Sequence, residues 1–142
     1  MADLDLTDAA TFRYWNRHVI RFADLDPTGH VNNVAYAQYF ESGRVAFWED
    51  SGVAAATPGA TTMIVRMTID YRSQLAFPGE VRVGTRVLRL GNSSCRLGQG
   101  LFRDGDCVAT SEAVNVLVDL ASNRSTPIPE GLRDAILALS HG

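Results

Sequence analysis

Alternating apolar and polar positions predict a chain built mainly of β-strands. The clearest alternation covers residues 62–72, where charged residues and threonine occupy one face of the strand. The other face of this half-buried strand holds Met63, Val65, Met67, Ile69 and Tyr71. A weaker alternation over residues 16–22 predicts an earlier strand that places His18, Ile20 and Phe22 on one side.

Three further strands follow, and turn sequences join them. Residues 80–90 alternate in the same way, and Gly91-Asn92-Ser93 leads from them into a strand at about 94–103. Asp104-Gly105 then leads into a strand at about 106–119. Strands joined by such hairpins form an antiparallel meander. Beyond a turn-rich stretch, residues 130–139 predict a short amphipathic helix.

A long helix is predicted between the first two strands. Asn32 and Asn33 are both favourable N-cap residues, and Gly52 ends the helix shortly after Asp50. Apolar residues cover most of its circumference, so other elements should largely enclose it. The sequence therefore predicts an α+β fold in which a five-stranded antiparallel sheet wraps around one long central helix.

The length of 142 residues fits a single domain. Residues 1–14 are polar and acidic with little periodicity, which predicts a flexible leader before a domain that spans residues 15–142. No apolar run reaches the roughly 20 residues of a membrane-spanning helix, and the N-terminus lacks a basic secretory signal. We therefore expect a cytoplasmic protein without a membrane span.

Charge and cysteine content narrow the possible partners. The net charge is -3, and the 13 basic residues, all arginine, are scattered along the chain. This distribution argues against nucleic-acid binding and favours a small-molecule partner. Cys95 and Cys107 have neither a CxxC spacing nor a histidine cluster nearby, which predicts reduced thiols and no metal site.

The chemically capable residues concentrate just before the predicted helix, in residues 24–36. This stretch contains Asp26, His30 and the helix N-terminus. Helix N-termini expose unpaired backbone N–H groups and a positive dipole end, which stabilise a negative oxygen developing on a carbonyl. A carboxylate just upstream can act as nucleophile or as general base on water. An ester or thioester hydrolase without a serine triad needs this combination.

This segment resembles the 4-hydroxybenzoyl-CoA thioesterase family of hot-dog-fold acyl-CoA thioesterases. The resemblance is carried by Phe22-x-Asp24-x-Asp26-x-x-Gly29-His30-Val31-Asn32-Asn33-x-x-Tyr36, followed by Tyr39-Phe40-Glu41 and Arg44. It continues in Ile69-Asp70-Tyr71, Gly79-Glu80 and Pro127-Ile128-Pro129. The resemblance implies a hot-dog fold, edge-to-edge dimers with active sites at the subunit interface, and catalysis without a metal or organic cofactor.

The resemblance also implies the site residues. Asp26 corresponds to the catalytic carboxylate, and the backbone N–H of Asn33 to the group that polarises the thioester carbonyl. The residues expected to bind substrate are Gly29, His30, Val31, Asn32 and Tyr36. The benzoyl-specific type carries bulky aromatic residues where this chain has His30-Val31-Asn32-Asn33, a form commoner among relatives that act on fatty acyl-CoA. We therefore expect a homodimer or homotetramer that hydrolyses a small or medium acyl-CoA.

Arginine is the side chain expected to bind coenzyme A. The chain has no lysine, so the phosphates must meet arginine or backbone N–H groups. Arg72, at the end of the strand over residues 62–72, is the first candidate, and Arg82 and Arg86 are the next two.

Several alternatives stay open at this stage. Asp26 could simply open a turn, Asp24 suits a turn or strand end, Asn32 suits a cap, and His30 could make a packing hydrogen bond. Tyr36 could be a core aromatic residue and Glu41 a solvated one. At the level of function, the alternatives are a non-catalytic acyl-CoA-binding module and a hot-dog enoyl-thioester hydratase or dehydratase that uses an aspartate and a histidine.

Overall fold

The computed structural model describes residues 4–142 and shows one antiparallel sheet packed against a long helix. The first three residues of the expected leader lie outside the described residues. The elements are β1 (Tyr14–Val19), α1 (Asn33–Ser51), α2 (Val53–Ala56), β2 (Ala60–Tyr71), β3 (Glu80–Leu90), β4 (Ser94–Arg103), β5 (Asp106–Asp119), β6 (Arg124–Ser125) and α3 (Glu130–His141). Within this part of the chain, no helix has both the length and the apolar character needed to cross a bilayer.

The order of the strands in the sheet is β1-β3-β4-β5-β2, and the two-residue strand β6 pairs with β5. Strands β1 and β2 are therefore the two edges. The predicted five strands and the meander from β3 to β5 are confirmed, while β6 and α2 were not predicted. At the hairpin between β4 and β5, Asp104 (φ 51°) and Gly105 (φ 87°) both adopt the left-handed conformation that this turn sequence favours.

The predicted limits of α1 are confirmed within one residue. Asn32 caps the helix, because its Oδ1 accepts a hydrogen bond from the N–H of Val34 (2.9 Å), and Gly52 ends it with φ 78°. The helix lies close to the sheet at Gly43, where an added Cβ would be 2.8 Å from Cγ1 of Val83. Enclosure of the helix is only partial, since the single sheet covers one side and leaves Val34 59% exposed.

The first predicted strand ends earlier than expected. Strand β1 stops at Val19, and Phe22 lies in a short 3-10 turn, where its side chain is 76% exposed. The turn forms because Oδ2 of Asp24 accepts a hydrogen bond from the N–H of Arg21 (2.9 Å). This bond redirects the chain before Phe22 can join the face that contains His18 and Ile20.

Strand β2 also departs from its predicted alternation. Its pairing with β5 shifts between Ile64 and Arg66, so a β-bulge interrupts the regular two-residue period. Met67 and Ile69 pack against the core, whereas Val65 is 62% exposed. Three of the five residues on the predicted apolar face, Met63, Val65 and Tyr71, are thus exposed, because β2 is an edge strand of the sheet.

Part of the expected leader packs against the outer face of the sheet. Phe12 is 3% exposed and lies over Gly84 and Gly100, which face each other across β3 and β4. Its ring makes edge-to-face contacts with Trp15 (5.7 Å between ring centroids) and Phe102 (6.1 Å). The sequence did not predict this contact, because residues 1–14 show little periodicity that would mark a packed face.

Candidate active site

The loop between β1 and α1 is closed by hydrogen bonds at both ends. The N–H of Gly29 donates to the carbonyl of Asp26 (3.0 Å), and the N–H of Asp26 donates to the carbonyl of His30 (3.0 Å). Gly29 has φ 84°, a left-handed conformation that glycine adopts at little cost. Leu25 and Val31 form a β-bridge at the base of the loop. The sequence Asp-Pro-Thr-Gly therefore presents Asp26 on a compact turn.

A second segment, which follows β2, supports this loop from the other side. The N–H of Val31 donates to the carbonyl of Leu75 (2.9 Å), and His30 forms a β-bridge with Ala76. The guanidinium of Arg103 in turn donates to the carbonyls of Ala76 and Pro78. The two segments are therefore joined to each other by main-chain contacts, and Arg103 of β4 fixes the second segment to the sheet.

Asp24 and Asp26 have different environments although they are two residues apart. Asp24 is 4% exposed and accepts hydrogen bonds from the hydroxyl of Tyr39 (2.7 Å) and from the N–H and guanidinium of Arg21 (2.9 and 2.8 Å). Burial alone would raise the pKa of Asp24, but these bonds outweigh it and hold the pKa below the usual value. Asp24 is thus fully engaged in local structure.

Asp26 is half-buried, and its contacts leave one carboxylate oxygen available. Oδ1 accepts hydrogen bonds from the hydroxyl of Thr28 and from the N–H of Thr28 (2.9 Å). These bonds, first the hydroxyl and then the backbone N–H, lower the pKa of Asp26, and the nearby His30 acts in the same direction. Asp26 is consequently ionised at neutral pH, as a base or nucleophile must be.

Beside the loop lies a surface cavity of about 470 Å³. It is lined by Asp26, Thr28, His30, Val31, Asn33, Tyr36, Tyr71, Arg72, Ser73 and Gln74. Six of the eight predicted site residues are in this lining. The other two are absent from it for clear reasons, since Gly29 forms the turn and Asn32 uses its side chain to cap the helix.

Asn33 brings the start of α1 to the cavity. As the first helical residue, it has an N–H without an acceptor inside the helix. The carbonyl of Asn33 accepts a hydrogen bond from the hydroxyl of Tyr71 (3.0 Å). The hydroxyl of Tyr36 donates to the carbonyl of Ser73 (2.9 Å), and the Tyr36 and Tyr71 rings meet at 67° with centroids 5.2 Å apart.

The structure separates the three arginines that were candidates for binding coenzyme A. Arg72 lines the cavity. The guanidinium of Arg82 lies over the ring of Trp15, 4.4 Å from its centroid, and Arg86 donates to the carbonyl of Thr11 (2.9 Å). Arg82 and Arg86 therefore contact the N-terminal part of the chain, and Arg72 is the one of the three that lines the same cavity as Asp26.

Four lining residues were missed from the sequence: Thr28, Tyr71, Ser73 and Gln74. Thr28 could have been found, because an aspartate followed two residues later by threonine is a common turn signal in which the side chains bond. Tyr71 was assigned to the apolar face of β2, and that assignment concealed its hydroxyl group. Ser73 and Gln74 carry no local signal, since they reach the cavity only through the fold.

Potential metal ligands and the two cysteines lie apart from one another in the described residues. Among residues 4–142, no group of three or more His, Cys, Asp or Glu side chains is placed to hold a metal ion. Cys95 and Cys107 are free thiols, as predicted, and burial raises the pKa of Cys95 to about 12. A smaller cavity of about 190 Å³ lies against β2, β4 and β5 and is lined by Arg66, Thr68, Arg96, Glu112 and Val114.

A curled antiparallel sheet around one long helix, with a carboxylate and the helix start sharing a cavity, defines the hot-dog class of thioesterase-like proteins. The chain matches the model of the Thioesterase-like superfamily over residues 20–136. It therefore belongs to this family. The resemblance noted in the sequence and the predicted hot-dog fold are both confirmed.

The chain is similar to several individual proteins along most of its length. The PA5185 protein of Pseudomonas aeruginosa is 34% identical, with a TM-score of 0.83 over 92% of this chain and 93% of that one. A thioesterase of Thermus thermophilus, solved with coenzyme A and zinc, is 32% identical, with a TM-score of 0.79 over 91% and 95%. The uncharacterized YsmA protein of Bacillus subtilis is 25% identical over 130 residues, 89% of this chain and 87% of its own.

Proposed function

We propose that this protein hydrolyses a small or medium acyl-CoA to the free acid and coenzyme A. The observation that carries the proposal is that the carboxylate of Asp26 and the helix-start residue Asn33 line one cavity. The family and the coenzyme A found in the Thermus thermophilus thioesterase support the same conclusion. Arg72 in the lining supplies a cation for the phosphates of coenzyme A.

The chemistry follows from the two groups. When Asp26 acts as a general base, it takes a proton from water as the water oxygen attacks the thioester carbonyl carbon. The N–H of Asn33 donates to the carbonyl oxygen, which becomes negative as the tetrahedral intermediate forms. The carbon–sulfur bond then breaks, and the departing thiolate takes up a proton. When Asp26 acts as a nucleophile, its carboxylate oxygen attacks the carbonyl carbon and the carbon–sulfur bond breaks, which releases the coenzyme A thiolate and leaves a mixed anhydride. Water then hydrolyses the anhydride to the free acid and restores the Asp26 carboxylate.

The proposal extends to how copies of this chain assemble with one another. Strand β2 is an exposed sheet edge, and it carries the exposed apolar residues Met63, Ile64 and Val65. Such an edge is normally paired or covered in proteins. We propose that two copies of the chain pair there, as homodimers or as the dimeric half of a homotetramer, with the cavity near their interface.

The test is a thiol-release assay over acyl-CoAs of increasing chain length. We expect wild-type protein to release thiol and Asp26→Asn to lose about 100- to 10,000-fold in rate while keeping its circular dichroism spectrum. Asp119→Asn is the matched control, because Oδ2 of Asp119 also accepts a hydrogen bond from a backbone N–H, that of Ser122 (2.9 Å), and Asp119 lies outside the cavity lining. Unchanged turnover in folded Asp26→Asn would remove Asp26 from the mechanism.

A second candidate function is hydration of an enoyl thioester. It is favoured by the presence of His30 and Asp26 in the same cavity, since hot-dog hydratases use such a pair. Loss of enoyl absorbance without release of thiol would indicate the hydratase. Binding of acyl-CoA with neither reaction would indicate a non-catalytic binding module.

A further inference from the structure

The peptide group between Asn33 and Val34 is held from both sides. Its N–H, which belongs to Val34, donates to Oδ1 of Asn32 (2.9 Å). Its carbonyl, which belongs to Asn33, accepts from the hydroxyl of Tyr71 (3.0 Å). The first bond is an ordinary N-cap within the helix. The second comes from the last residue of the edge strand β2 and is therefore a long-range contact.

We propose that Tyr71 is a positioning residue for the backbone N–H of Asn33. This inference rests on the proposed function, in which that N–H polarises the thioester carbonyl. A backbone donor at a helix start is useful only if its peptide groups keep their orientation while charge develops on the substrate oxygen. Tyr71 fixes one side of Asn33 by anchoring its carbonyl to the sheet.

Tyr71 is 50% exposed, and both its ring and its hydroxyl contact the start of α1. The ring meets the Tyr36 ring edge-on (5.2 Å between centroids), and Tyr36 in turn donates its own hydroxyl to the carbonyl of Ser73 (2.9 Å). The two tyrosines thus connect the same two parts of the fold in opposite directions. Tyr36 of α1 donates to the backbone that follows β2, and Tyr71 of β2 donates to the backbone of α1. Substrate in the cavity meets the rings, while both hydroxyl protons are already donated to main-chain carbonyls.

The test compares two variants that remove one hydroxyl each from contacts with α1. Tyr71→Phe removes the bond to Asn33 at the start of the helix. Tyr14→Phe is the matched control, since the hydroxyl of Tyr14 donates to Oδ2 of Asp50 (2.6 Å) near the end of the same helix. The measurements are kcat and KM for acyl-CoA hydrolysis, and amide hydrogen exchange over the first turn of the helix.

We expect Tyr71→Phe to lower kcat roughly three- to tenfold with KM nearly unchanged, and to speed amide exchange in the first helical turn. Tyr14→Phe should change neither quantity. Equal losses of kcat in both variants would overturn the inference, because they would reflect general loosening of the helix. Unchanged kcat and exchange in Tyr71→Phe would overturn it as well.

The exchange measurement separates this inference from the proposed function. If the wild-type protein hydrolyses no thioester, the proposed function fails. The rate of amide exchange in Tyr71→Phe then decides by itself whether Tyr71 fixes the start of the helix. Faster exchange then supports the positioning role, and unchanged exchange contradicts it. An active wild type with a Tyr71→Phe variant as fast as wild type contradicts the inference alone.

Discussion

The hydroxyl of Tyr39 donates a 2.7 Å hydrogen bond to Oδ2 of Asp24, the carboxylate two residues before the one in the cavity. Asp24 also accepts hydrogen bonds from the N–H and the guanidinium of Arg21, so both of its carboxylate oxygens bond to groups that shape the loop. This distinguishes the roles of the two aspartates. Asp24 holds the loop in shape, and Asp26 faces the cavity.

We therefore expect Asp24→Asn to act mainly on stability. The amide cannot accept all of these bonds, and the free energy of unfolding should fall by about 1–3 kcal/mol, measured by urea denaturation. Because the pKa of Asp24 is lowered on folding, its contribution is present above its ordinary pKa of 3.8 and disappears as the pH falls through the lowered value. The gap between wild type and variant should accordingly be full at pH 7 and narrow below about pH 4.

The control for that experiment is Asp134→Asn, which removes an exposed carboxylate on α3. Its stability should match that of the wild type at every pH. A larger loss of turnover in Asp24→Asn than in Asp26→Asn, at equal folded fraction, would mean that the roles of the two aspartates are reversed.

A second prediction concerns the acid side of the pH–rate profile. The hydroxyl of Thr28 is the main cause of the lowered pKa of Asp26. Thr28→Val removes this bond and retains the shape of the side chain, so the pKa of Asp26 should rise and the acid limb of kcat/KM should move to higher pH. Thr7→Val is the matched control, because Thr7 makes the same pair of bonds to Asp5 outside the cavity. An acid limb that stays in place would indicate that another group controls it.

The third prediction concerns recognition of coenzyme A. Arg72→Ala should raise KM for acyl-CoA roughly tenfold, because a charge-assisted contact to phosphate is lost. The same variant should hydrolyse a short thioester without the nucleotide at the wild-type rate. Arg82→Ala removes an arginine that lies over Trp15 and should leave KM unchanged. Equal losses on both substrates would assign Arg72 to structure or chemistry.

The fourth prediction tests assembly through β2. We expect a dimeric or tetrameric mass in light scattering at micromolar concentration, and a monomer when Ile64 and Val65 are both replaced by lysine, because charges at a sheet edge oppose pairing. Activity should fall with dissociation. Val45→Lys, at an exposed apolar position on α1, is the control and should keep the wild-type mass. A monomeric wild type would contradict the proposed assembly.

The sequence predicted most of this fold because its local signals agree with the tertiary structure. Asn32 and Gly52 mark the helix limits, and Asp104-Gly105 marks a hairpin. The errors in the predicted strand limits occur where side-chain hydrogen bonds, rather than apolar periodicity, determine the path of the chain. Phe22 was predicted in the first strand but lies outside it, because the hydrogen bond from the N–H of Arg21 to Asp24 bends the chain. The alternation of apolar residues carries no information about such a bond.

The site shows the same division between local and distant information. The proximity of Asp26 to Asn33 could be predicted because turn, carboxylate and helix start are consecutive in the sequence, while the roles expected of them came from the family resemblance. Tyr71, Ser73 and Gln74 lie about 40 residues after Asn33 in the sequence. They line the cavity only because β2 ends beside the start of the helix. Their hydrogen-bonding roles depend on three-dimensional proximity, which the alternation of β2 could not reveal.

The burial of Phe12 over Gly84 and Gly100 bears on how far the chain can be shortened from its N-terminus. The family match begins at residue 20, so a fragment trimmed to that match loses Phe12 together with all of β1. Strand β3 would then become an open edge, and Phe102, now 3% exposed, would face water. Such a fragment should aggregate on expression. A fragment that starts ahead of Leu6, whose side chain lies over Gly98 of β4, retains the cover of the outer face.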